Sequence, residues 1–352
     1  EIYTLSLHDA LPISVIVVIM IKVIELCAGA GGLALGFEKA GLEHELLVEI
    51  DKDCVATLNK NRPDWNVLHA DIKEVDFTKY HPDIVVAGLP CQPFSYAGKK
   101  LGFDDTRGTL FFDYARCLKE TNPKMCIIEN VEGLVRHDKG RTMETIVNVL
   151  ENELGYDVQY KVLNAVDYGV AQKRKRMFLV GTKKGIIFNY PKKIKGNPVL
   201  RDALKDVPES EGTEYSDKKK EVLELVPPGG CWVDLPEDVQ KEYMGKSFYS
   251  SGGKRGMARR ISWDEPCLTL TTSPCQKQTE RCHPEEIRPF TVREYARIQS
   301  FPDDWKFEGG ITSKYKQIGN AVPVKVAEAV GKEVIKALNG KNKRKKGQTT
   351  LF

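Results

Sequence analysis

The chain has 352 residues, enough for one large or two ordinary domains. With 41% hydrophobic and 29% charged residues it has the make-up of a globular protein rather than a disordered one. Nine cysteines at irregular spacing, with no CxxC pair, argue against a disulfide framework and a zinc site and fit a reducing compartment. The net charge of +4 conceals an asymmetry. Residues 1–170 carry 17 Lys and Arg against 26 Asp and Glu, whereas residues 171–352 carry 36 against 23. A basic C-terminal half is the footprint of a polyanion binder.

The first 19 residues predict a leader outside the fold. Residues 13–21 are apolar except for Ser14, too short to span a bilayer, and they lack the features of a signal peptide. Residues 1–14 read as translated adaptor sequence, which makes Met20 the expected native start.

Residues 21–26 then predict a strand. Cys27, Ala28, Gly29, Ala30, Gly31 and Gly32 predict a tight turn, and residues 33–40 a helix stopped by Gly41. Strand, glycine turn and helix open a Rossmann-like sheet. Further strands are expected at 46–49, 66–71, 84–87 and 125–129. Their carboxyl ends carry Glu49, Asp71 and Glu129, along the edge where open α/β folds bind ligands. Residues 157–163 and 176–182 read as a hairpin. After Asn189, Pro, Gly and charge become frequent and the periodicity fades. Residues 291–299 and 324–338 read as helices, the second with Val326, Val330, Val334, Ala337 and Leu338 near one face.

A glycine turn alone is shared by several cofactor classes. Glu49 after the second strand is placed to accept from both ribose hydroxyls, and Asp71 after the third to reach an adenine amino group. The three together point to a nucleoside-bearing cofactor. After the fourth strand comes Gly88-Leu89-Pro90-Cys91-Gln92-Pro93-Phe94-Ser95. A cysteine held just past a strand end, behind a proline of fixed φ, is placed for chemistry rather than packing. Glu129-Asn130-Val131 follows the fifth strand, and Gln172-Lys173-Arg174-Lys175-Arg176 opens a later one.

In this order the segments resemble the catalytic centre of the DNA (cytosine-5) methyltransferases of bacterial restriction-modification type. The resemblance runs from Met20 to about Leu338, with further motifs at Arg107-Gly108-Thr109-Leu110-Phe111, 288–302 and 317–323. It implies a mostly parallel seven-stranded sheet, a catalytic and cofactor-binding domain over 20–189 and a smaller target-recognition domain over 190–285. A bridging segment and return would follow over 286–338, then a basic tail over 339–352. It also implies S-adenosylmethionine in the Cys27–Gly32 loop, with Ile50, Ile72, Asn320 and Val322 completing that site. Cys27 stands where the family usually has Phe; Leu89, Pro93 and Ala171 are further departures, all in loops.

Methylating C5 of cytosine requires a nucleophile at C6, and Cys91 is the candidate thiolate. Glu129 is placed to protonate or hydrogen-bond the ring N3. Arg176, with Arg174, would stabilise charge on O2. Pro90, Gln92, Ser95 and Asn130 complete the expected catalytic set. A paired cytosine is buried in its stack, so it must be extruded from the duplex. The loop bearing Lys99, Lys100 and Arg107 is expected to close over the DNA backbone.

Arg255, Arg259, Arg260, Gln276, Lys277, Gln278 and Arg281 are the candidates for base edges and phosphates. A strand over 268–272 would support them. Duplex DNA is the expected partner of a monomeric cytoplasmic enzyme, with a cognate endonuclease encoded nearby. The rival readings are a tRNA cytosine-5 methyltransferase of the same architecture and a catalytically decayed DNA-binding protein.

Overall fold

A computed structural model of the chain describes residues 20–90, 110–249 and 256–342. The leader and most of the basic tail lie outside these residues. Strands and helices alternate through the first half: β1 (Lys22–Leu26), α1 (Gly32–Ala40), β2 (Glu43–Glu49), α2 (Lys52–Asn61), β3 (Val67–His69), β4 (Ile84–Gly88), α3 (Leu110–Thr121), β5 (Met125–Val131) and α4 (Arg141–Asn148). Then come β6 (Asp157–Asn164), β7 (Gln172–Lys173) and β8 (Lys175–Thr182). The rest holds α5 (Leu200–Leu204), α6 (Asp217–Glu224), α7 (Glu237–Met244), β9 (Cys267–Leu268), α8 (Val292–Ile298), α9 (Ile311–Asn320) and α10 (Val324–Leu338).

Seven strands form one sheet in the order β3-β2-β1-β4-β5-β8-β6. β8 runs antiparallel to both its neighbours, and the other pairings are parallel. The strand order reverses at β1, which pairs with both β2 and β4. In open α/β sheets that switch point leaves a crevice beyond the carboxyl ends.

Both faces of the sheet are covered, so its central strands β1, β4 and β5 are mostly apolar, with Glu25, Glu129 and Asn130 as their buried polar residues. In β4, Val85 and Ala87 enter a core with Tyr114 and Cys117 of α3 and Ile128 of β5. Ile84 and Val86 enter the opposite core with Phe37 of α1 and Val326, Val330 and Val334 of α10. The period-two alternation of a strand thus feeds two cores. A third cluster joins Ala34, Leu35, Leu47 and Leu58 to Leu200, Leu204, Ile261, Leu270, Tyr295 and Trp305. A fourth, small one holds Tyr215, Leu223, Val226, Leu235, Ala258 and Cys282. Segment 190–285 therefore has apolar clustering of its own and is also tied into the sheet half.

α1 and α10 approach unusually closely at Gly36. A Cβ there would lie 2.3 Å from Ala327 Cβ and 2.6 Å from the Val324 carbonyl oxygen. Gly36→Ala should gain about 1 kcal/mol of helix propensity yet destabilise overall by about 1–3 kcal/mol through overpacking. Chemical denaturation would read the sign, and a stabilised variant would contradict the close contact.

Three expected elements differ. The third strand covers only Val67–His69; Asp71 instead caps a short 3-10 turn, Oδ1 accepting from the Lys73 amide at 3.1 Å. The fifth runs on to Val131, so Glu129 sits inside it. The expected strand over 268–272 shrinks to Cys267–Leu268, paired in parallel with Gln172–Lys173. Beyond it the backbone is engaged by side chains: Arg281 donates to the Thr269 carbonyl, the Leu270 amide donates to Gln172 Oε1, and Tyr295 donates to the Thr271 carbonyl.

Candidate active site

A cavity of about 830 Å³ lies at the switch point, of the size that takes a nucleoside cofactor. Its near wall is the turn after β1, where Cys27 and Gly29 both adopt positive φ, +56° and +55°. Nothing stands within 4 Å of where a Gly29 Cβ would be, so the backbone is open to a ligand there. Gly31 is the opposite case. Its φ is +81°, and a Cβ would meet Leu58 Cδ2 at 2.7 Å and Trp305 at 2.9 Å, so the turn is clamped from behind.

Glu49 organises this turn. Its Oε2 accepts from the Gly29 amide at 2.7 Å, and its Oε1 accepts from the amides of Ile50 (2.9 Å) and Asp51 (2.8 Å). The expectation that Glu49 serves ribose hydroxyls thus meets a carboxylate that lines the cavity and already holds the loop. Ile50 lines the cavity as an exposed apolar side chain, 63% accessible, a surface suited to a flat ring. Asp71 and Ile72 form the wall beyond it, and Asn320 and Val322, from the end of α9 and the turn after it, the wall opposite. Ala28, Ala30 and Gly32 also line the cavity, whereas Gly31 faces the packing behind it. Burial, then Glu49 and Asp71, push the Cys27 thiol up to about 12, so it stays neutral.

The same cavity continues to the ends of β4, β5 and β8, where Pro90, Glu129, Asn130 and Arg176 line it. Register explains why Glu129 and Arg176 meet. Glu129 pairs with Phe178 and Val131 with Arg176, so the two are diagonal neighbours on one face. Arg176 Nε lies 3.1 Å from Glu129 Oε1. Glu129 is buried, and burial raises its carboxyl above the usual range although Arg176 and Arg174 oppose the rise. Asn130 Nδ2 donates to the Leu89 carbonyl at 2.9 Å, and its Oδ1 accepts from the Val131 amide at 2.8 Å. It therefore fixes the end of β4, at Pro90, against β5. Cys91, Gln92, Ser95, Lys99, Lys100, Arg107 and Arg255 lie outside the described residues.

Arg174 requires a correction. Its parity along the strand matches that of Arg176, but its guanidinium is buried and donates to the carbonyls of Leu270 (2.8 Å), Gly319 (2.7 Å) and Ala321 (3.0 Å). Gln172 and Gln299 complete this buried node. Both terminal nitrogens of Arg174 are thus taken up bracing the wall that carries Asn320 and Val322.

Two recognition candidates are corrected likewise. Arg260 donates to the carbonyls of Val226, Pro284 and Glu285, and Arg281 to those of Thr269 and Glu280. Both hold their own segment together. Arg259 is half-buried, 3.9 Å from Glu265. Gln276, Lys277 and Gln278 are exposed, with the Lys277 ammonium over the Tyr243 ring.

Two pairs in the cavity escaped the sequence reading. Glu25, a carboxylate inside an apolar strand, lies at the cavity floor with Oε2 3.4 Å from His44 Nε2, and its own pKa is raised by burial. A charged residue amid Ile24 and Leu26 was the available signal. Lys316 Nζ is 3.0 Å from Asp51 Oδ2 across the rim, a contact over 265 positions that no local pattern announces.

Among known proteins, the C-5 cytosine-specific DNA methylase family model matches residues 21–336. The Type II methyltransferase M.Eco47II of Escherichia coli is 59% identical over 336 residues, covering 92% of this chain and 80% of that protein. The Type II methyltransferase M.Sau96I of Staphylococcus aureus is 57% identical over 329 residues, 90% of this chain and 76% of that one. A solved structure titled as a DNA modification methyltransferase encoded within an E. coli prophage superposes with a TM-score of 0.66 at 25% identity, covering 91% of this chain and 99% of that one. Spodoptera frugiperda DNMT2, at 18% identity and a TM-score of 0.63 over 91% of this chain and all of that one, shares the fold.

Proposed function

Because the chain belongs to the C-5 cytosine-specific DNA methylases, we propose that it methylates cytosine C5 in duplex DNA at one short sequence, with Cys91 as nucleophile. One observation carries the reading. The pair of buried Glu129 and half-buried Arg176 lines the same cavity as Glu49, Ile50 and Asp71, so acid and cation stand beside a site of nucleoside size. The residues fit S-adenosylmethionine: an open glycine backbone, an exposed apolar surface at Ile50 and a carboxylate at Asp71. When bound, that cofactor supplies an electrophilic methyl group.

The chain's residues would then divide the work. Cys91 Sγ adds to C6 of an extruded cytosine, and the ring electrons shift toward N3 and O2. Glu129, whose carboxyl burial raises above the usual range, donates its proton to N3. Arg176 meets the charge gathering on O2. C5 accepts the methyl group, a water molecule takes up the C5 proton, the electrons of the breaking Cys91–C6 bond return to the sulfur as thiolate, and N3 gives its proton back to Glu129.

Segment 190–285 is the proposed target-recognition domain, supported by its own small core. A monomer acting on nucleoid DNA in the cytoplasm, beside a cognate endonuclease, completes the proposal. No helix among the described residues is long and apolar enough to cross a membrane.

Bisulfite sequencing of DNA from a methylation-free host expressing the chain tests the reading. Protected cytosines confined to one motif are expected; none, from soluble folded protein, would overturn it. Asp71→Ala should weaken cofactor binding about tenfold, roughly the worth of one hydrogen bond. Calorimetry would measure it, and unchanged affinity would remove Asp71 from the adenine contact.

A further inference from the structure

The segment Gln172-Lys173-Arg174-Lys175-Arg176 alternates strictly. Gln172 and Arg174 are buried and Arg176 half-buried against Glu129, whereas Lys173 and Lys175 are exposed. The parity that turns the arginines inward turns both lysines outward, into a groove of about 480 Å³. Val131 belongs to this groove and to the active-site cavity alike, so the two open side by side. Thr269, from the proposed recognition segment, forms the far wall, its Oγ1 donating to the Lys173 carbonyl at 2.8 Å.

The groove's acid is Glu132, 3.3 Å from Lys175 Nζ, with both side chains more than half exposed. An exposed pair of this kind is worth under about 1 kcal/mol, so a stronger anion displaces it. Among the described residues, the Lys173 ammonium has no anionic partner.

We propose that Lys173 and Lys175 bind backbone phosphates of duplex DNA at the mouth of the active site. A nucleotide whose base reaches Arg176 carries its phosphates past the neighbouring residues, and Lys175 is one position, about 3.8 Å along the backbone, from Arg176. The groove thus lies where sheet and recognition segment meet, and its contacts position the strand without reading sequence. The inference rests on the duplex-DNA reading proposed above.

The test is the salt dependence of binding to a mixed-sequence DNA duplex, with the double variant Lys173→Gln/Lys175→Gln beside wild type. Each lost phosphate contact lowers the slope of log K against log salt by about 0.9. The double variant should therefore lose about tenfold less affinity than wild type over a fourfold rise in salt. Lys173→Arg/Lys175→Arg should keep the wild-type slope, and cofactor binding by calorimetry should be unchanged in every variant. A wild-type slope in the Gln variant, with intact cofactor binding, would overturn the groove alone. Absence of salt-dependent duplex binding by wild type would overturn the DNA reading and the groove together.

Discussion

Replacing Cys91 by serine is expected to cut methyl transfer by at least roughly 10³-fold, the scale of losing a covalent nucleophile, while duplex binding persists. A thiol ionises near pH 8.5 and is readily brought lower. A hydroxyl does not reach the anion at such pH without a dedicated base, and no His is among the described residues that line the cavity. Nor can another described cysteine in or near the sheet substitute. Burial pushes Cys27 and Cys126 up to about 12, and raises Cys54 and Cys117 further. Thiols raised so far stay neutral at working pH and make poor nucleophiles.

Duplex DNA carrying 5-fluorocytosine gives a direct readout. Fluorine at C5 cannot leave as a proton, so the Cys91–C6 bond cannot break and the adduct survives denaturation. Wild type should form that adduct and Cys91→Ser should not. An adduct in the variant would move the nucleophile elsewhere.

The turn and the carboxylates that line one end of the cavity were legible because their signals are local. Gly29 and Gly31 announce backbone at positive φ, and Glu49 and Asp71 sit near successive strand ends, where the fold itself places ligands. The arginines were not separable, because Arg174 and Arg176 share strand parity and pattern reading treats them alike. Contacts far along the chain decide between them. Leu270, Gly319 and Ala321 bring three carbonyls to Arg174, across separations of 96 to 147 residues. Arg260 and Arg281 misled for the same reason. A basic residue in an irregular segment reads as a DNA contact, but irregular backbone leaves carbonyls without strand partners, and arginine is the side chain that satisfies several at once. Glu49 shows the converse: its position was readable, but its three backbone amide partners were not.

Glu129→Gln sets stability against chemistry at one residue. The amide is isosteric with the protonated acid and can still donate a hydrogen bond, but it cannot transfer a proton to N3. Turnover should fall about 10²–10⁴-fold, the usual contribution of a positioned acid, with cofactor affinity unchanged. The pH profile should change as well. On the proposed acid role the working form in wild type is the protonated one, so its share of the rate should be present at low pH and lost as pH rises through the raised Glu129 pKa. In the variant that alkaline limb should vanish.

Stability should move the other way. A carboxyl whose folded pKa lies above its unfolded value contributes fully below the unfolded value, and that contribution is lost as pH rises through the folded one. Glu129→Gln should therefore match wild type in thermal stability at acid pH and exceed it above the raised pKa, because the amide never has to ionise in a buried site. A variant no more stable than wild type at alkaline pH would mean that Arg176, at 3.1 Å, outweighs burial and holds Glu129 as a carboxylate. In that case N3 would have to be protonated by another donor.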